Sequence, residues 1–152
     1  MSDSLTALEA WAAPLLRQLD PDARAKLAKD LAKQLRRSQQ QRIKRQLNAD
    51  GTPYVPRKPR TLRGKQERIK RKAPMFVRLG SPRFLKATGD GEQIAVGFTG
   101  RIARIARVDQ YGLNDRAERG AKQVKYARRE PLGLTESERQ LISDLLLSHL
   151  RD

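Results

Sequence analysis

The chain has 152 residues, with 33 Lys or Arg against 17 Asp or Glu and a formal net charge of +16. It contains no cysteine, which excludes disulfides, thiolate metal sites and cysteine nucleophiles. Apolar residues make up 38% and aromatic residues 5%, so the length suits one domain whose modest core is built from Leu, Ile, Val and Ala.

Taken in chain order, the first element is a helix over residues 5–19. Leu5, Leu8, Trp11, Ala12, Leu15, Leu16 and Leu19 recur at spacings of three and four, and Pro14 is expected to shorten or kink it. Asp20-Pro21 reads as an N-cap followed by proline at the first helical position. The second helix is expected over 21–47, with Leu27, Leu31 and Leu35 stepping by four, Ile43 and Leu47 continuing, and polar Gln39 interrupting the row. The two helices are expected to pair antiparallel, with Trp11 against the leucine stripe. Asn48, Asp50 and Gly51 then stop the helix, Gly51 being free to take positive φ. Pro53, Pro56 and Pro59 follow at a period of three that suits polyproline II and forbids helix. Residues 60–71 are expected to resume a short basic helix.

From Met75 the pattern turns towards strands. "MFVRL" reads as a strand, and residues 83–88 and 93–98 read as a β-hairpin around the turn 89–92, with Ile94, Val96 and Phe98 alternating. Residues 101–111 suggest a helix stopped by Gly112, with Ile102, Ile105 and Ala106 on one side. Polar residues 114–122 suggest a mobile loop, and "QVKYA" at 123–127 suggests a further strand. Thr135 with Glu138 forms a capping box ahead of a last amphipathic helix containing Leu141, Ile142, Leu145, Leu146 and Leu150. These elements predict an α+β fold: a small antiparallel sheet packed with helices, a long basic N-terminal helical hairpin, and a capped C-terminal helix. The chain divides into a helical hairpin at 1–47, a proline-rich arm and basic segment at 48–74, and an α+β body at 75–152, together one structural domain.

Charge is unevenly spread. Residues 24–72 hold eighteen Lys or Arg against three acids. Such a segment must meet something acidic or be kept apart by solvent and counterions. Lys33, Arg36, Arg37, Arg42, Lys44, Arg45, Arg68 and Arg71 are the candidates for contact with DNA or an acidic partner. Only Tyr54 among these 49 residues is aromatic, so base stacking is weakly supported.

Nothing in the sequence indicates an enzyme. His149 is the sole histidine, with no visible catalytic or ligand partners, and reads as a surface or helix-capping residue. The HExxH, GxSxG, GxxxxGK[ST] and GxGxxG patterns are all missing, and no cofactor or metal is expected. No run reaches the ~20 apolar residues of a membrane span. The N-terminal stretch lacks a basic leader, so the chain reads as soluble and made inside the cell.

Four stretches in order, "RRSQQQRIKRQLNADGTPYVPRKPR", "MFVRL", "IAVGFTGRIARIARVDQYGL" and "EPLGLTESERQLISDLLLSHL", resemble the phage virion morphogenesis family, the tail completion proteins of contractile-tailed phages and related prophages. Asp109 departs from it, standing where the family commonly has histidine before Gln-aromatic-Gly. The resemblance implies a non-enzymatic structural protein that finishes the head-proximal end of the tail, working as a ring, usually sixfold, so that the tail can join a DNA-filled head. It implies an α+β fold. Its partners would be tail proteins at the tube or sheath terminus, head–tail connector proteins, further copies of the chain, and genomic DNA. The place implied is the virion tail, reached from the host cytoplasm. Tyr54, Pro56, Arg57, Gln110, Tyr111 and Gly112 are expected at subunit contacts, with "NADGTPYVPRKPR" an arm that its prolines make cheap to order. The alternative function is nonspecific nucleic-acid binding by residues 24–72.

Overall fold

The computed structural model describes residues 2–57, 74–116 and 119–151. Helix α1 runs Ser2–Leu16 and α2 runs Pro21–Lys44. Strands β1 (Leu85–Gly89) and β2 (Ile94–Phe98) form an antiparallel hairpin, followed by α3 (Arg101–Tyr111). Strands β3 (Asn114–Arg116) and β4 (Gln123–Lys125) form a second, separate antiparallel pair, and α4 (Glu136–Arg151) ends the chain. The architecture is α+β, as the sequence predicts.

Local chemistry places each boundary. The Asp20 carboxylate accepts from the Ala23 N–H at 2.7 Å, and Pro21 follows where its missing donor costs nothing. The capping box is reciprocal: Glu138 N–H donates to Thr135 Oγ1, and Thr135 N–H donates to Glu138 Oε2, both at 3.1 Å. Gly112 closes α3 in the left-handed region with φ of 62°. A Cβ there would also lie 3.2 Å from the Arg128 nitrogen.

α2 is the central element, packed against β1, β2 and α4. Its inner face presents Leu27, Ala28, Leu31, Ala32, Leu35 and Ile43, all buried. Leu27 and Leu31 join Ala12 of α1 and Leu146 of α4 in the apolar core, with Leu15, Leu16, Leu19, Ile142 and Leu145 around them. Burying side chains of this kind contributes about 1.5–3 kcal/mol each. β1 approaches α2 so closely that a Cβ on Gly89 would lie 2.4 Å from the Ala28 carbonyl oxygen.

Four local expectations need correction. Trp11 does not cover the leucine stripe; it is 41% exposed and its neighbour Ala12 is buried instead. At ~100° per residue Trp11 lies about 80° off the centre of the α1 apolar stripe, so docking that stripe leaves the indole at the rim. The bounds of α1 are Ser2–Leu16 where the sequence predicts 5–19: the helix starts earlier, passes through Pro14 and ends two residues later, in keeping with the shortening expected there. Residues 75–80 form turns, not a strand, and residues 114–116, expected in a loop, are paired with β4. The expected helix at 60–71 lies outside the described residues.

Candidate functional site

The arm that begins where α2 ends folds back as a small hairpin. Tyr54 N–H donates to Gln46 O at 2.9 Å, and Asn48 N–H donates to Thr52 O at 2.8 Å. Gly51, at φ of 88°, turns the corner, and Asp50 accepts from Thr52 N–H. These hydrogen bonds to an exposed carboxylate, first with the Thr52 side chain and then with its backbone, hold the Asp50 carboxyl below its ordinary range.

The arm lies along the segment 129–133, which crosses between β4 and α4. Arg129 donates from Nε to Val55 O at 2.6 Å and from Nη2 to Pro56 O at 3.0 Å. The Glu130 N–H donates to Asn48 Oδ1, and the Tyr54 hydroxyl donates to Glu130 O at 3.4 Å. Tyr54 is buried, and its ring meets Phe76 edge-on with centroids 5.4 Å apart. Burial pushes its phenol up to about 12.

Three glutamines fix the surrounding loops by one device. A primary amide carries a donor and an acceptor side by side, so it can pair with a backbone residue as a neighbouring strand would. Gln46 pairs with the N–H and C=O of Met75, at 2.7 and 2.8 Å. Gln110 pairs with Leu132 at 3.0 and 2.9 Å. Gln39 pairs with Gly133 at 3.1 and 2.6 Å. The Gln46 clasp and the Tyr54–Phe76 contact account for the turns at 75–80, because both tie that segment to the arm.

Gln39 also sits at the centre of a buried polar cluster. Its Nε2 donates to both Glu138 oxygens, at 2.8 and 2.7 Å, and its Oε1 accepts from Arg42 Nη2 at 2.6 Å. Glu138 is 1% exposed and accepts further from Ser38 Oγ. Arg42 donates to the carbonyls of Leu47, Glu130 and Pro131. A buried carboxylate and a buried guanidinium are thus tied together through one amide, which gives each charge hydrogen-bond partners in place of water. Beside this cluster, Asp109 is buried, with its carboxylate 3.5 Å from Arg129 Nη1 and its carbonyl accepting from Arg129 N–H at 2.8 Å. Burial raises the Asp109 carboxyl to about 6 despite the opposing charge of Arg129.

The residues expected at contacts fall into distinct groups. Arg42 cannot serve as a free phosphate contact, because it is buried and its guanidinium is committed to carbonyls of this chain. Tyr54 points inward, and Gln110 is spent on Leu132, so neither offers its side chain to a partner. Gly112 shapes a turn. Tyr111 is 63% exposed, Pro56 is exposed, and Arg57 is half-buried. Lys33, Arg37, Lys44 and Arg45 are exposed and Arg36 is half-buried, while Arg68 and Arg71 lie outside the described residues. Residues 129–133 link members of both sets: Tyr54, Pro56 and Gln110 of the subunit-contact residues and Arg42 of the basic candidates all bond to this one crossing. The sequence reading missed Gln39, Asp109, Arg129 and Glu130 as members. Its available signals were a polar residue in an apolar helical row and the Asp109 departure.

Among the described residues, no group of three or more His, Cys, Asp or Glu could hold a metal ion. No described helix is long and apolar enough to cross a membrane. The phage virion morphogenesis family profile matches residues 3–151, which takes in every element above except the first residue of α1. The chain belongs to that family. One member similar to it is tail completion protein S of Escherichia phage P2, 40% identical over 137 residues, which are 90% of each chain. No solved structure matches. The morphogenesis family's span takes in the arm, the crossing at 129–133 and α4 together, so the buried polar cluster lies wholly inside the matched region.

Proposed function

We propose that this chain is a structural tail-completion protein that finishes the head-proximal end of a phage tail and makes it competent to join the head. The observation that carries the reading is the match over nearly the whole chain to a virion morphogenesis family, with a relative named for tail completion covered over 90% of its length. The described chemistry agrees in kind: its buried polar groups are used to fix loops and an arm, and what they hold up is surface. In this reading the protein works as a ring, sixfold by analogy with tail terminators, touching further copies of itself, the tube or sheath terminus, and the connector. Exposed Tyr111 and Pro56, with half-buried Arg57, supply the subunit contacts, and Tyr54, Gln110 and Gly112 act by positioning them.

The test is electron microscopy of tails assembled with and without the chain, beside light scattering of the purified protein. The expected result is a ring-sized density at the head-proximal end and unjoined heads when the chain is missing. A monomer both in solution and on tails would overturn the ring. Tyr111→Ala is expected to lower joined virions at least tenfold with the thermal transition unchanged, and normal yield would remove Tyr111 from the contact. The exposed cations of α2 support a second reading, nonspecific nucleic-acid binding by residues 24–72, and a ring around a DNA channel combines the two.

A further inference from the structure

The basic segment divides sharply once α2 is in place. Lys26, Lys29, Lys33, Arg37 and Lys44 are all exposed, and at ~100° per residue they fall within about 80° of the helix circumference. The buried row Leu27, Leu31, Leu35 and Ile43 lies on the opposite side, so packing of that row fixes the cations outward. With 1.5 Å of rise per residue the ridge is about 27 Å long. None of the five takes part in an ion pair among the described residues. Asp30 flanks the ridge, and its carboxylate is engaged by Gln34 Nε2 at 3.3 Å.

We infer that this ridge is a docking surface for the phosphate backbone of duplex DNA. Three observations select the duplex over other polyanions. The ridge carries no aromatic side chain, so it offers no stacking platform of the kind single strands use. It carries no apolar anchor, which the centre of a protein–protein interface requires. Four of its five cations are lysines, point charges suited to phosphates, whereas bidentate pairing with carboxylates calls for arginine. A helix supported along its inner face is also a stiff rod, and 27 Å of ridge spans about eight base pairs at 3.4 Å each. Contacts of this kind position a protein without reading sequence.

The inference rests on the nucleic-acid reading of residues 24–72 and is independent of tail completion. The experiment is fluorescence anisotropy with a labelled 20-base-pair duplex of arbitrary sequence, from 25 to 200 mM NaCl, using the full chain. Variant K29Q/K33Q/R37Q removes three ridge charges. Variant R116Q/R119Q/K122Q removes three exposed charges around the β3–β4 turn and matches it in net charge. The ridge variant is expected to lose at least about tenfold in duplex affinity at 100 mM NaCl, with the log–log salt slope shallower by about 3. The β3–β4 variant is expected to change affinity less than threefold. Equal losses in both variants would overturn the ridge assignment, leaving only a net-charge effect. Unchanged binding by the ridge variant would overturn it too and transfer the DNA reading to residues 57–72. Tighter binding of a single strand, or displacement of the duplex by polyglutamate at equal charge, would likewise overturn it. No duplex binding by the unmodified chain at 25 mM NaCl would sink the nucleic-acid reading itself.

Discussion

Replacing Gln39 with leucine completes the four-residue step Leu27, Leu31, Leu35, Ile43 that the sequence of α2 interrupts. By hydrophobic pattern alone the helix gains, since a buried leucine contributes about 2 kcal/mol. The structure requires the opposite sign. Leucine removes the bonds that Gln39 makes to Glu138 and Arg42, each charge-assisted and worth about 1.5–3 kcal/mol, and leaves the N–H and C=O of Gly133 without this partner at about 1–3 kcal/mol each. Glu138 keeps Ser38 and Thr135, and Arg42 keeps its backbone carbonyls, so the charges are not stranded completely. Losses near 7 kcal/mol against a gain near 2, softened by relaxation, leave a destabilisation of about 4 kcal/mol. For a chain of this length that is a fall in melting temperature of about 10 °C. Thermal unfolding at pH 7 by circular dichroism or calorimetry reads it directly. An equal or higher melting temperature for Gln39→Leu would refute the view that the polar cluster holds the crossing at 129–133 in place.

Gly89→Ala forces a Cβ against the α2 backbone and is expected to cost about 1–3 kcal/mol, whereas Gly91→Ala, whose Cβ would come no nearer than 4.0 Å, should shift the transition by less than 0.5 kcal/mol. Equal melting temperatures for the two variants would contradict the close approach of β1 to α2. Asp109 gives a pH signature. Its native carboxyl stands at about 6 against 3.8, so the native state binds the proton more tightly. Its contribution to stability is therefore greatest below about pH 3.8 and is lost as pH rises through 6, a swing of about 3 kcal/mol. Asp109→Asn lacks this swing, so its melting temperature measured against that of the unmodified protein should improve steadily from pH 4 to pH 7. A constant difference across that range would refute the assignment.

Local chemistry was readable from the sequence wherever cause and effect lie within a few residues. Asp20 caps α2, Thr135 and Glu138 cap α4, Gly112 ends α3, and the first hairpin falls where its turn and alternation place it. The morphogenesis family, too, was recognisable from four ordered stretches. The polar cluster was not, because Gln39 meets Glu138 and Gly133 across more than 90 residues, and one chain carries no sign of which polar residue faces which. Arg42 looked like any other cation of a basic helix. Only its angular position, between Leu31 and Leu35 on the buried side, separates it from Arg37 and Lys44. Residues 75–80 misled for a similar reason. Their short apolar run suits a strand, yet Gln46 and Tyr54 capture Met75 and Phe76 in turns. The β3 strand was hidden by its polarity: Asn114, Asp115 and Arg116 pair on a strand with no apolar face of its own.

The meeting of Gly89 with Ala28 is main chain against main chain, with no side chain between them to yield. α2 therefore cannot roll about its long axis without dragging the end of β1 with it. A load applied to the outer side of that helix is handed directly to the hairpin and, through β2, to α3. Force arriving at one flank of the molecule is delivered to the base of Tyr111 on another, so these two surfaces would respond mechanically as one piece.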